Sequence, residues 1–168
     1  NTAMSSEARR IVESRQVDIA LMPNTYEIPG LRYEPVFSER FCLFAHRRTL
    51  GRTLDRIDAA SAFTLPLTAP SRDYDLRRFL ERTAALHGVQ IKVTHEINSA
   101  DVSRALVRRG MAFGVWPRHS WPDVQLDPEV QVVPIEPPIT RTLSIVWFEG
   151  APTTPAALAV RDVLKLVA

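Results

Sequence analysis

The stretch Phe63–Pro117, FTLPLTAPSRDYDLRRFLERTAALHGVQIKVTHEINSADVSRALVRRGMAFGVWP, reads as strand, polar joint, helix, strand, polar joint, helix, strand. Leu76, Phe79, Leu80, Thr83, Ala84 and His87 recur at helical spacing, which assigns Arg77, Arg78, Glu81 and Arg82 to the solvent face. Asp73 and Asp75 suit the first turn of that helix, and Gly88 supplies a left-handed stop. Gln90–Ile97 alternates as a strand, with Ile91, Val93, His95 and Ile97 on one face. Ser99 or Asn98 caps the next helix, which directs Val102, Ala105 and Leu106 inward and stops at Gly110.

Strands joined through helices run parallel, so the joints Pro70-Ser71-Arg72 and Asn98-Ser99-Ala100 emerge at one sheet edge. A third strand, Phe113–Trp116, delivers Pro117 and Arg118 to the same edge. Each following helix presents unpaired N–H groups and the positive end of its dipole there, a setting that favours a carboxylate, phosphate or sulfate. The expected ligand is therefore small and polar or anionic.

Working outward, Ser5–Arg15 reads as a helix with Ala8, Ile11 and Val12 on one face, and Val17–Leu21 as a buried strand ended by Pro23-Asn24. Leu31–Phe37 and Arg40–His46 read as two strands separated by a polar turn at Ser38-Glu39. Arg47–Ala60 is a polar connection between lobes with a short helix around Asp55–Ala60. Beyond Pro117 the pattern weakens until strands return at Val130–Ile135 and Thr142–Phe148, and the prolines from Pro134 to Pro138 forbid a regular ladder between them. Thr154-Pro155 opens a final helix running to Val167, a capping residue followed by a first-turn proline.

Composition narrows the function classes. The net charge is +2, and the arginine pairs Arg9-Arg10, Arg47-Arg48, Arg77-Arg78 and Arg108-Arg109 are scattered among acids, so no continuous basic stripe exists to grip nucleic acid. The single cysteine, Cys42, excludes an intramolecular disulfide and sits in the apolar run Phe41–Ala45, as a core thiol does. No apolar run approaches the roughly 20 residues that span a bilayer, and Asn1–Glu7 carries no apolar signal core, so a cytoplasmic, non-membrane setting is expected, although a mature exported protein would also lack its signal. His46, His87, His95 and His119 lack ligand spacing, so no metal is expected. No phosphate-binding glycine motif occurs, so no cofactor is expected either. Glu96 and Asp101 flank Asn98-Ser99 like an acid/base pair, but they equally suit a strand end and a first helical turn, and no positive motif supports an enzyme.

The order of signatures resembles the effector-binding (substrate-binding) domain of LysR-type transcriptional regulators. The matching pieces are Val17–Leu21; the stretch Leu31–Phe44; Leu65-Pro66-Leu67 leading to Pro70-Ser71; Glu96–Ser99; Leu106–Gly110 with Phe113–Pro117; and Arg141–Trp147 with the helix begun by Pro155. Pro70–Glu81 is most similar to the branch containing nitrogen- and sulfur-assimilation regulators. The resemblance implies an α/β fold of two Rossmann-like lobes, as in type 2 periplasmic-binding proteins, joined by crossing strands with an effector cleft between them. Residues 1–46 and 146–168 would form lobe one and residues 47–145 lobe two. Family members carry a winged helix-turn-helix, a linker helix and a first strand, helix and second strand of lobe one before the point matching Asn1. Lobe one is accordingly expected to be incomplete, DNA to be bound only through the missing N-terminal domain, and the exposed lobe-one strand edge to recruit a second copy into a homo-oligomer.

The expected effector contacts are Met22, Pro23 and Asn24 after the lobe-one strand, Pro70, Ser71 and Arg72 at one joint, Asn98 and Ser99 at the other, and Trp116 at the third strand end. Ser71 and Ser99 equally suit simple helix capping, Asn24 and Asn98 turn completion, Arg72 a solvent-facing cation, and Trp116 the core. The leading function is an effector-sensing regulatory domain. A solute-binding receptor of a transport system, which shares the two-lobed fold, is the alternative.

Overall fold

The computed structural model describes residues 10–23, 29–150 and 154–167. The chain divides into two compact units, Asn1–Glu39 with Arg141–Ala168, and Arg40–Thr140. Strands β2 (Leu31–His46) and β8 (Thr140–Phe148) carry residues of both.

In the first unit, residues 10–13 form helix α1, followed by β1 (Ala20–Pro23). β1 runs antiparallel to β8, pairing Ala20 with Val146 and Pro23 with Leu143. Val12, Met22, Leu31 and Val146 make its buried cluster. Helix α6 (Pro155–Val167) starts as the sequence indicates: the Thr154 hydroxyl accepts from the Ala157 N–H at 3.2 Å and donates to Asp18 Oδ2 at 3.0 Å.

The turn expected at Ser38-Glu39 does not form, because β2 is one continuous strand of 16 residues. The polar pair that reads as a turn is satisfied sideways instead. Ser38 Oγ lies 3.3 Å from Thr142 Oγ1, and Glu39 Oε1 accepts from Arg141 Nε at 2.6 Å and from its Nη2.

In the second unit the far half of β2 is buried at every residue from Phe41 to His46, as expected for a strand covered on both faces. It pairs antiparallel with β6 (Gly114–Pro117) and with β7 (Val130–Glu136). Alternation sends Phe41, Leu43 and Ala45 into one cluster with Phe63, Leu80, Val133 and Ile135. Cys42 and Phe44 go into another with Val107, Trp116, Trp121 and Val124. Each fully buried phenylalanine contributes roughly 1.5–3 kcal/mol. Contrary to the sequence reading, Pro134 lies inside the ladder, opposite Cys42. The proline removes only a donor, and pairing continues past it, where Ile135 meets Ile57 of the two-residue β3 (Ile57–Asp58).

Phe63 is helical rather than the start of a strand. Asp58 accepts from the Ser61 N–H at 2.8 Å and so begins helix α3 (Ala59–Thr64), whose Ala59, Ala62 and Phe63 are buried, after the short helix α2 (Arg47–Leu50). The strand that follows, β4 (Leu67–Ala69), is parallel to β5 (Val93–Glu96), and Leu67 bridges in parallel to Phe113. Helices α4 (Asp75–Leu86) and α5 (Ala100–Arg108) follow β4 and β5. Their terminal glycines, Gly88 and Gly110, take positive φ as the sequence reading requires.

Two helical faces differ from expectation. On α5 the buried residues are Ser103 and Val107, while Val102 is exposed. On α4 the buried set includes Asp75 and Arg77 beside Leu80 and Ala84. Periodicity places the charge of Arg77 in solvent, whereas the fold gives it acceptors inside.

Candidate functional site

The parallel β4–β5 pair brings Pro70-Ser71 and Asn98-Ser99 to one edge of the second unit. The two joints touch directly, since the Ser71 N–H donates to Asn98 Oδ1 at 2.9 Å. Just inside them the Ile97 N–H donates to the Ala69 carbonyl at 2.9 Å. A buried hydroxyl pair, Thr68 Oγ1 donating to Ser103 Oγ at 3.2 Å, ties β4 to α5.

Ser99 is the N-cap of α5, accepting from the Val102 N–H at 3.4 Å. Ser71 is not a cap. Helix α4 begins at Asp75 after Tyr74, which makes no side-chain capping bond, and the Ser71 carbonyl accepts from the Tyr74 N–H at 3.1 Å in the intervening turn. Asn98 and Ser99 are exposed and Ser71 is half-buried, so the amide of Asn98 and both hydroxyls can be reached from solvent.

Behind the joints sits the guanidinium of Arg77. Its Nη1 donates to the Pro70 carbonyl at 3.0 Å and lies 3.4 Å from Glu96 Oε2, and its Nε donates to Glu81 Oε1 at 3.0 Å. Glu81 also accepts from Arg72 Nε at 3.1 Å. Arg72 and Arg77 with Glu81, Gln90 and Ile91 line a cavity of about 230 Å³. The acid/base pairing of Glu96 with Asp101 does not form, because Glu96 faces Arg77 and Asp101 accepts from Arg104 Nη1 at 3.0 Å. The sequence reading set Arg77 on the solvent face and weighed Glu96 only as half of an acid/base pair, not as the partner of Arg77. Only the Arg-x-x-x-Glu spacing of Arg77 and Glu81 on one helix face hinted at a pair.

The remaining sequence candidates belong to one unit or the other. Met22 is buried in the first unit's core, Pro23 ends β1 opposite Leu143, and Asn24 lies outside the described residues. Trp116 packs in the second unit's core, its ring centroid 5.4 Å from Phe44 and 6.3 Å from Trp121. That packing needs Gly114 one pleat away, because a Cβ there would sit 2.4 Å from the indole.

A larger groove in the second unit, about 860 Å³, is lined by Arg47, Arg118, His119, Trp121, Asp127 and Gln131 among others. Its charges are partly consumed. Arg108 stacks over Trp121 at 5.2 Å and donates to Asp127 Oδ2 at 2.7 Å. Burial raises the Asp127 carboxyl pKa, but the bonds from Arg108 and the Glu129 N–H outweigh it and hold the group below the usual carboxylate range. Burial pushes the Cys42 thiol up, with Arg118 and Arg40 pulling it partly back, which is the state of an inert core cysteine. Among the described residues no group of three or more His, Cys, Asp or Glu could hold a metal ion, and no helix is long and apolar enough to cross a membrane.

A family model described as the LysR substrate binding domain matches residues 1–168. The chain belongs to that family. As a LysR substrate-binding domain it is an effector-binding domain of a LysR-type regulator, and the match disfavours the transport receptor. Its fold, a mixed α/β arrangement, is that of the type 2 periplasmic-binding-protein class, as solved relatives bear out. The effector-binding domain of QuiR in complex with shikimate matches this LysR domain with a TM-score of 0.85 at 16% identity, over 98% of this chain and 78% of that one. The regulatory domain of CcmR from Synechocystis PCC6803, in complex with 2-PG, matches with a TM-score of 0.86 at 17% identity, over 98% and 80%. Full-length CbnR complexed with its target DNA matches with a TM-score of 0.78 at 15% identity, over 99% of this chain and 58% of that one. No curated protein matches this chain at the level of sequence.

Proposed function

We propose that this domain senses a small polar or anionic metabolite, and that the Pro70-Ser71 and Asn98-Ser99 joints form the wall of the second unit that the metabolite touches. The observation that carries this reading is the 2.9 Å bond from Ser71 N–H to Asn98 Oδ1, which makes one polar surface of two joints 27 residues apart. Hydroxyls from Ser71 and Ser99 and the free amide hydrogens of Asn98 supply donors for an anion, and helix α5 adds the positive end of its dipole. Arg72, already paired with Glu81, contributes charge to the neighbourhood. The two units correspond to the two lobes of the family fold. Effector preference for one arrangement of the domain then biases a winged helix-turn-helix of the full regulator, with no catalytic step. The same reading assigns DNA and a second copy of the chain as partners, and the cytoplasm as the setting. The complexes of QuiR with shikimate, CcmR with 2-PG and CbnR with DNA support it by likeness of fold.

Calorimetric titration with sulfate, phosphate, shikimate and 2-PG tests the wall. Losing one charge-assisted hydrogen bond weakens binding by roughly ten- to a hundredfold, so Ser71→Ala and Asn98→Ala should each weaken the anion that binds wild type. Unchanged affinity in both variants would sink the assignment.

A further inference from the structure

We infer that Arg77 is a positioning residue for the effector wall: one buried guanidinium fixes the Pro70-Ser71 joint against the end of β5 and so sets the spacing of Ser71 and Asn98. This rests on the site proposed above and adds to it a residue that does not touch ligand.

The geometry is specific to this side chain. The Arg77 side chain is only 7% exposed, and its acceptors come from three separate segments: the Pro70 carbonyl from the first joint, Glu96 from the strand entering the second, and Glu81 from the next turn of α4. The Pro70 carbonyl belongs to the peptide whose nitrogen is Ser71 N, the atom that donates to Asn98 Oδ1. A single planar cation therefore holds one face of the Pro70–Ser71 peptide unit while Asn98 holds its N–H. Glu96 is two residues before Asn98, so the same cation is also tethered to the end of the strand that leads to the acceptor. Two acidic partners balance Arg77 and Arg72, which leaves the cluster neutral and spares it an uncompensated buried charge. Lysine cannot reproduce the arrangement, because its ammonium is a compact point charge without the guanidinium's fork. A merely structural Arg77 would stabilise the whole unit and leave the Ser71–Asn98 bond no more affected than any other.

Hydrogen exchange of the Ser71 amide, followed by NMR on the whole chain without ligand, separates these cases. Arg77→Met should speed Ser71 exchange by roughly tenfold through local opening, and Arg77→Lys should restore protection only in part. Leu80→Ala, which opens a cavity in the same core without touching the cluster, should lower global stability yet leave Ser71 exchange unchanged under conditions where the protein stays folded. Glu96→Ala, at an exposed carboxylate, gives a smaller rise and covers the case in which Arg77→Met fails to fold. Unchanged Ser71 exchange in both Arg77→Lys and Glu96→Ala, or an equal rise in Leu80→Ala, would overturn the inference. With sulfate as the probe, Arg77→Met should weaken binding about as much as Ser71→Ala, and the combined variant no more than either alone. Loss of the sulfate effect in Ser71→Ala and Asn98→Ala, with the exchange result intact, would refute the wall and leave the positioning role standing.

Discussion

The joints at Pro70-Ser71 and Asn98-Ser99 leave neighbouring parallel strands and carry the same serine, yet the two serines play different parts. Ser99 follows the end of β5 by three residues and caps α5 at once, whereas Ser71 enters a turn and α4 waits until Asp75. At the second joint the backbone is fixed locally, by a hydroxyl three residues from its donor. At the first it is fixed from a distance, by Asn98 and by Arg77. A serine whose hydroxyl is not needed for capping keeps it for something else.

The largest test of that contrast is Arg77→Met, which should cost about 3 kcal/mol in urea unfolding, the lower end for breaking a buried pair because water can relieve the carboxylates left behind. Glu81 and Glu96 retain 31% and 56% of their side-chain exposure. A loss below about 1 kcal/mol would mean the cluster behaves as a surface pair and the contrast collapses. Next in size, Ser99→Ala should cost about 0.5–1 kcal/mol, as expected for a long, exposed capping bond. Ser71→Ala should change stability by less than about 0.5 kcal/mol while still weakening anion binding. Equal stability losses in the two alanine variants would show that both serines are caps.

The smallest effect concerns another cap, of a different chemistry. Asp58 begins α3, and hydrogen bonds from Ser61 hold its carboxyl below the usual range. Its contribution is therefore present above the unfolded pKa, near 3.9, and is lost as pH falls through the lower folded value. The difference in urea midpoint between wild type and Asp58→Asn should shrink as pH drops below about 3.9, whereas that for Ser99→Ala should stay constant with pH. A pH-independent Asp58→Asn difference would place the effect outside ionisation.

Hydrophobic period with its caps and glycine stops makes the alternation of strand and helix across residues 67–117 legible, and the parallel order of β4 and β5 follows from it. What sequence reasoning missed is long-range polar satisfaction. Ser38-Glu39 has turn composition, but Thr142 and Arg141, about a hundred residues away in sequence, convert it into strand. Arg77 has a solvent-face position by period, and its carbonyl and carboxylate acceptors on other segments bury it. At the candidate site the serines and Asn98 stand out as residue types, but nothing local to either joint says that Asn98 would reach across to Ser71. Apolar pattern carries one face of each element, whereas buried hydrogen bonds are agreements between distant segments.

The indole of Trp116 folded over Gly114 makes those two positions a single unit of variation. A methyl group at position 114 has room only if the ring at 116 shrinks or swings out, and a swung ring would disturb Phe44 and Trp121. Enlargement at 114 should therefore be tolerated only together with a smaller residue at 116. In a selection from a doubly randomised library, small-with-large or large-with-small combinations would survive, and large-with-large would vanish.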